Sequence, residues 1–377
     1  MKKIVMILIP LLFLTACREI KEIQYQAYAV GLGIDYKDKE YAVTIQFLDF
    51  SNVAKSEEGK GEQPSKVWIG NGKGKSIEEA INKINQGIQL PINFDQIKVI
   101  VFGDSLLKYK LKSTLAALDA SYNIRLTGEV YGTDQPLEKV FTAKIPFYYP
   151  YNESQISYPK LMEEEQGSTI PSINLQKLIY QFNEKATTTL LPALSVNNTI
   201  IKEDEGEYVV PTINGAYIIR NKEWKGFLNV NDLMGFILVN KDSFRTDLTL
   251  TIDDNQLDIE ILKPSMKHKV MNKKPLPSIA LDITIDVSVL SLIDTTKSKE
   301  IQQALKKDIV NQVYHSYVKS KEMGGDIFQF ENFLYKYRYD IWYSLKDKKF
   351  PSLKKEDIHV KIDNLKSVPK LNSNFQS

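Results

Sequence analysis

Cys17 is the only cysteine in 377 residues. A thiolate is both soft and nucleophilic, which is what S-alkylation needs. One cysteine makes no disulfide within its own chain, so its position has to account for it. Lys2 and Lys3 precede an unbroken apolar run of eleven residues, Ile4 to Leu14. A membrane-spanning helix needs roughly 20 residues, so the run fits the h-region of a secretory leader. It closes on Leu14-Thr15-Ala16-Cys17, which resembles a lipobox. The expected chemistry is transfer of diacylglycerol to the Cys17 sulfur and cleavage before it, making Cys17 the first residue. Two acyl chains give stable anchoring where one is marginal. The competing reading, a buried core cysteine, is disfavoured because no core begins at such a boundary.

Other candidate chemistry is weaker. The stretch GNGKGKS, residues 70–76, invites a phosphate-loop reading. That motif requires glycine five residues before Gly74-Lys75-Ser76, and the position holds Ile69. A turn leading into a helix capped by Ser76 fits better. GDSLL, residues 103–107, lacks the second glycine of a nucleophile elbow. His268, His315 and His359 are far apart and show no ligand spacing. The carboxylates Asp35, Glu163 to Glu165, Asp253, Asp254 and Asp326 include no marked acid–base pair, and the runs read as solvated turns. The aromatic set from Phe328 to Tyr343 has helical spacing, which favours packing on a neighbouring helix over a ligand platform. No catalytic residue, metal site or cofactor site is therefore expected.

Charge narrows the partners. The chain carries 49 Lys and Arg against 47 Asp and Glu. Loss of Lys2 and Lys3 with the leader makes the mature chain formally neutral, which argues against nucleic-acid binding. No later segment approaches the apolar length of a membrane span. The lysines of 263–277 invite contact with anionic headgroups, but a solvated linker is the simpler reading.

The elements that must position any site read as follows. AYAVGLGIDY and EYAVTIQFLDF form a hairpin across YKDK. Residues 51–65 form an exposed loop, and KVWIGNGKG a short strand. SIEEAINKINQGI is a helix with a Ser76–Glu79 capping box and an apolar stripe of Ile77, Ala80, Ile81, Ile84 and Ile88. IKVIVFG is a continuous buried strand. Helix SLLKYKLKSTLAALDAS and strand RLTGEVYG complete a unit with parallel pairing, and INLQKLIYQF is a further helix. From Leu194 short strands dominate. SIALDITIDVSVLSL is a long alternating strand. A helix follows from Thr296 to Met323 with a stripe of Ile301, Ala304, Leu305, Ile309, Val313 and Tyr317, stopped by Gly324-Gly325. DIFQFENFLYKYRYDIWYSL is an aromatic helix and DIHVKIDNLKSV a last strand.

In this order the segments resemble the Ger(x)C family, the lipoprotein C subunits of GerA-type spore nutrient receptors. The resemblance lies in the lipobox, Glu19-Ile20, Gly33-Ile34-Asp35, the segment GKGKSIEEAINKINQGIQLPINFDQIKVIVFGDSLL, the hairpin GAYIIRNKEWKGFLN, and Asp326-Ile327-Phe328 with Trp342 downstream. Arg18 and Glu19 stand where the family usually places Trp-Asp. The resemblance implies a three-domain α+β lipoprotein, with mixed sheets packed against helices, on the outer face of the cell or inner spore membrane. It also implies assembly with the receptor's A and B subunits, and no catalysis or cofactor. The expected divisions are 1–16 leader, 17–26 lipid-anchored linker, 27–193 N-terminal α/β-like domain, 194–262 small strand-rich middle domain, and 263–377 C-terminal α+β domain with two long helices. The expected role is a scaffold or relay in nutrient-triggered germination. Two alternatives are a substrate-binding lipoprotein of an ABC-type uptake transporter, which needs two like α/β lobes, and a cell-wall hydrolase, which needs paired carboxylates or a metal in one cleft.

Overall fold

In the computed structural model the described residues are 25–48, 66–121, 124–148, 154–160, 167, 170–203, 206–243, 245–252, 255–271, 277–290, 298–345 and 352–367. Asp38 and Lys39 both take positive φ, 54° and 64°, the two-residue turn whose twist suits a hairpin. It returns β1 (Ala27–Lys37) as β2 (Glu40–Phe47). β3 (Trp68–Gly74) adds to β2. Ser76 then opens α1 (Ile77–Ile88), its hydroxyl accepting the Glu79 amide at 3.1 Å. The Glu79 carboxylate accepts the Lys75 amide at 2.8 Å, one residue upstream of the usual capping-box donor. A Cβ on Gly72 would stand 2.0 Å from the Ala80 carbonyl oxygen. Gly70, Gly72 and Gly74 thus leave one face of β3 bare so that α1 can lie on it.

The chain continues through β4 (Ile92–Asn93), the wholly buried β5 (Val99–Gly103), α2 (Asp104–Tyr109), α3 (Leu111–Asp119), β6 (Glu129–Thr133), α4 (Leu137–Phe141), α5 (Leu175–Asn183) and β7 (Thr188–Glu203). β1, β5, β6 and β7 pair parallel, as the helix–strand alternation predicts. β8 (Gly206–Arg220) and β9 (Glu223–Asn229) close the sheet as an antiparallel hairpin. The order is β3-β2-β1-β5-β6-β7-β8-β9, with β4 on β1.

α6 (Val230–Val239) leads to a second sheet of β10 (Arg245–Ile252), β11 (Asn255–Met271), β12 (Ser278–Val289) and β13 (Ile358–Ser367), in that order. Between β12 and β13 run α7 (Ser298–Glu322), α8 (Phe330–Tyr337) and α9 (Tyr339–Leu345). Strict alternation along β12 sends Leu281, Ile283, Ile285 and Val287 inward. They meet Ile301, Leu305, Ile309 and Val313 of α7. The same core takes in Ala216, Ile218 and Leu228 from the first sheet. The fold is α+β, with mixed sheets packed against helices.

Several expected elements differ in detail. The division between 193 and 194 falls inside β7, and that between 262 and 263 inside β11. Residues 263–271 are strand, not linker. Lys267 and Lys269 alternate with half-buried neighbours on β11, so the lysine count reports a solvated sheet face. The helix expected over SLLKYKLKSTLAALDAS breaks at Lys110 into α2 and α3. The aromatic helix breaks at Arg338, whose φ of −141° and ψ of 56° leave the helical region. The second sheet does not repeat the first, as a two-lobed binding protein would require.

Candidate functional site

The groups that invited chemical readings are dispersed. Cys17 lies outside the described residues, as do Glu163 to Glu165, Asp253 and Asp254. His315 faces Asp232 at 3.2 Å and His359 faces Asp282 at 2.8 Å, on different elements. Among the described residues no three His, Cys, Asp or Glu side chains are grouped to hold a metal, and no helix is long and apolar enough to cross a membrane. Asp35 is an architectural carboxylate. Its Oδ1 accepts the amides of Tyr36 at 2.8 Å and Leu106 at 3.2 Å, so it caps α2 from another strand. A Cβ on Gly103 would lie 2.1 Å from the Asp35 Cγ. Gly33-Ile34-Asp35 and the glycine before GDSLL's aspartate are therefore one packing unit.

Polar side chains do converge at the junction of the two sheets. Thr188, the first residue of β7, sits opposite Arg220, the last of β8. Both reach the segment after α7. The Asp326 amide donates to Thr188 Oγ1 at 3.1 Å, and the Thr188 amide to Gln329 Oε1 at 3.2 Å. Arg220 donates to the Gly324 carbonyl at 3.0 Å and pairs with the Glu331 carboxylate. Glu331 also accepts the Trp342 indole N–H at 3.2 Å. Asp326 Oδ2 accepts the Glu331 amide at 2.8 Å, satisfying an orphan donor in the first turn of α8. Burial pushes the Asp326 carboxyl above its ordinary value, opposed by the α8 amides and Arg220. Ile327 and Phe328 fill the core beneath. The spacing Asp326-Ile327-Phe328 with Trp342 thus has a physical reason: cap, two core anchors, and a donor to the Glu331 carboxylate.

His268 of β11 completes the junction. Its ring stacks on Phe333 at 4.9 Å and meets Phe330 edge-on at 5.4 Å. The Phe328 carbonyl can only accept, so Nε2 carries the proton. Burial holds the imidazole pKa below the usual 6.5. The unfolded chain therefore takes the proton first, and stability is complete above 6.5 and falls as pH drops from there towards the folded pKa. His268→Phe keeps the stacking and loses the titration. Thermal melts from pH 7.5 down to 5.5 should show a steeper loss in the parent than in His268→Phe; parallel curves would refute this.

Arg220, Thr188, Gln329 and Glu331 were not marked by any sequence signal of their own. Their partners lie more than a hundred residues away. The aromatic set divides. Phe328 and Phe330 are buried, while Tyr337, Tyr339 and Tyr343 are exposed. What the junction does chemically is hold two sheets in one relation.

Comparison with known proteins gives the same outline. Residues 19–196 match a family model described as the spore germination protein N-terminal domain. Residues 214–364 match one described as spore germination B3/GerAC like, C-terminal. Spore germination protein KC of Bacillus subtilis (strain 168) is 22% identical, over 91% of this chain and 89% of its own length. The crystal structure of the GerBC protein aligns with a TM-score of 0.50 at 16% identity, covering 90% of this chain and 97% of that one. At that identity the likeness shows a shared fold.

Proposed function

Because the chain belongs to the spore germination family with GerAC-like domains, we propose that it is the C subunit of a nutrient germinant receptor, lipid-anchored at Cys17 on the outer face of the inner spore membrane. It works beside the receptor's A and B subunits as a scaffold and relay, and it leaves the nutrient chemically unchanged. The observation that carries this reading is the match of both family models along nearly all of the chain after the leader. The junction of Arg220, Asp326, Glu331 and Trp342 supports the relay part. It ties the end of the first sheet to the segment of α8 and α9, and His268 of β11 ties that segment to the second sheet through the Phe328 carbonyl, over a common core, so a displacement of one sheet is passed to the other.

Anchoring confines the chain to two dimensions and raises its effective concentration near membrane partners, so modest contacts suffice. Dipicolinate release from nutrient-treated spores tests the reading, with Cys17→Ala compared against the parent and a full deletion. Release should fail in both while vegetative growth is normal. Normal release from the deletion, after paralogous receptors are removed, would refute the role. Normal release from Cys17→Ala alone would refute the anchor.

A further inference from the structure

We propose that one end of the molecule, carrying the tyrosine ridge of α8 and α9, rests in the headgroup layer of the bilayer. The inference rests on the anchoring at Cys17. It concerns which surface meets lipid, which anchoring alone leaves open.

Topology places the tether and the ridge together. β1, β5, β6 and β7 are parallel, so their first residues share one end of the sheet. Gly31 is level with Val99, Val99 with Glu129, and Gly132 with Ala193. The tether enters at Tyr25, just before β1. Residues 18–25 span at most about 29 Å when fully extended, which bounds how far this end stands from an anchored Cys17. Three strand steps away, roughly 15 Å, lies the start of β7, where α8 docks. Asn332 Nδ2 donates to the Lys185 carbonyl at 3.3 Å, and Lys336 pairs with Glu184 at 3.6 Å. α8 therefore runs outward past the strand ends, and the turn at Arg338 projects beyond them.

What projects is aromatic. Tyr337 is 72% exposed and Tyr343 64%. Tyr339 stacks on Tyr343 at 6.1 Å and packs on Trp342 at 5.4 Å, which fixes the rings as a ridge. The same end presents other large side chains. Trp68, paired to Phe47 and so level with Ala29, is 61% exposed, as is Tyr25. Exposed Leu90 precedes the Pro91 whose carbonyl accepts the Ala27 amide. The composition favours lipid over a protein groove. Tyr and Trp combine an apolar ring with a polar tip, which suits the membrane–water boundary, and they spread across a broad end, from the β3 edge to α9. The two cations of the ridge itself are paired, Lys336 with Glu184 and Arg338 with Asp340. The contact is thus aromatic in character and little affected by salt.

The single cysteine provides a clean test. The mature chain, residues 17–377, is coupled through the Cys17 thiol to maleimide-headgroup lipid in phosphatidylethanolamine/phosphatidylglycerol vesicles, with plain or brominated acyl chains. Tyr339→Trp reports on the ridge. Tyr109→Trp is the control: it adjoins Lys110, whose ammonium lies 4.8 Å over the Tyr36 ring at the far end of β1. Interfacial rings sit roughly 5–10 Å into the boundary, within reach of bromine. Emission added by Tyr339→Trp should fall to about half or less in brominated vesicles, in low and high salt alike, and that from Tyr109→Trp should not change. Equal quenching of both, or none of either, overturns the proposal and leaves the ridge to a protein partner. The coupling does not depend on lipidation in the cell, so failure here is distinct from failure of Cys17→Ala in spores.

Discussion

Gly235→Ala destabilises the chain by about 3 kcal/mol, the upper part of the range for overpacking a core. Gly235 lies in α6 where it crosses α7, and its amide donates to the buried Ser316 hydroxyl at 3.0 Å. A Cβ there would stand 2.1 Å from the Gln312 carbonyl oxygen and 2.4 Å from the Val313 nitrogen. Both are backbone atoms of α7, so no rotamer change makes room and the helices have to separate. Leu233, Ile237 and Val313, buried around the crossing, lose contact as they part. Gly87→Ala is the counter-case. It lies in α1, nothing stands within 4 Å of a Cβ there, and helix propensity alone should stabilise the chain by about 0.5–1 kcal/mol. Urea unfolding of the two variants against the parent checks both signs. A Gly235→Ala chain as stable as the parent would mean that α6 and α7 slide apart without cost, and the close crossing would lose its significance.

The contrast shows which features local sequence encodes. Ser76 and Glu79 are three residues apart, and their cap follows from that spacing. β5 reads as a buried strand because all five of its positions are buried. The inward face of α7 repeats at helical spacing, and four of its expected residues lie in the core. Gly235 is different: it is one small residue in an otherwise apolar helix, and only the approach of α7, some eighty residues later, makes it indispensable. The lysines of β11 misled for a related reason. Charge density marks solvent contact, and the outer face of a strand is as solvated as a linker. The junction was half legible. Asp326, Ile327, Phe328 and Trp342 stood out as a motif, but the motif does not name Arg220 or Thr188, whose contacts span 111 and 138 residues.

Arg220→Met should be the most damaging polar change, costing about 3 kcal/mol, because breaking one side of a largely buried ion pair strands the other charge. Here two carboxylates lose their cation. Glu331 keeps the Trp342 indole as a donor, and Asp326 keeps the α8 amides, but neither regains a positive partner. The pH dependence separates this from simple loss of packing. Burial already raises Asp326, so the folded chain binds its proton first, and the carboxylate's cost is felt above its folded pKa and relieved as pH falls towards 3.8. Removing Arg220 raises that pKa further. The stability gap between variant and parent should therefore be widest near neutrality and narrow in acid, whereas a pure packing defect would give a constant gap. Arg220→Met/Glu331→Met should recover part of the loss, with a coupling of about 0.5–3 kcal/mol in a double-mutant cycle. The junction joins the sheets, so the variant should also lose cooperativity: unfolding followed at Trp224 in β9 and at Trp342 in α9 coincides in the parent and separates in Arg220→Met. If the transitions still coincide, the shared apolar core alone couples the sheets and the polar junction is not the relay. If they separate, spores carrying Arg220→Met should respond poorly to nutrient even with the chain anchored and abundant, which places the relay at Arg220, Asp326 and Glu331.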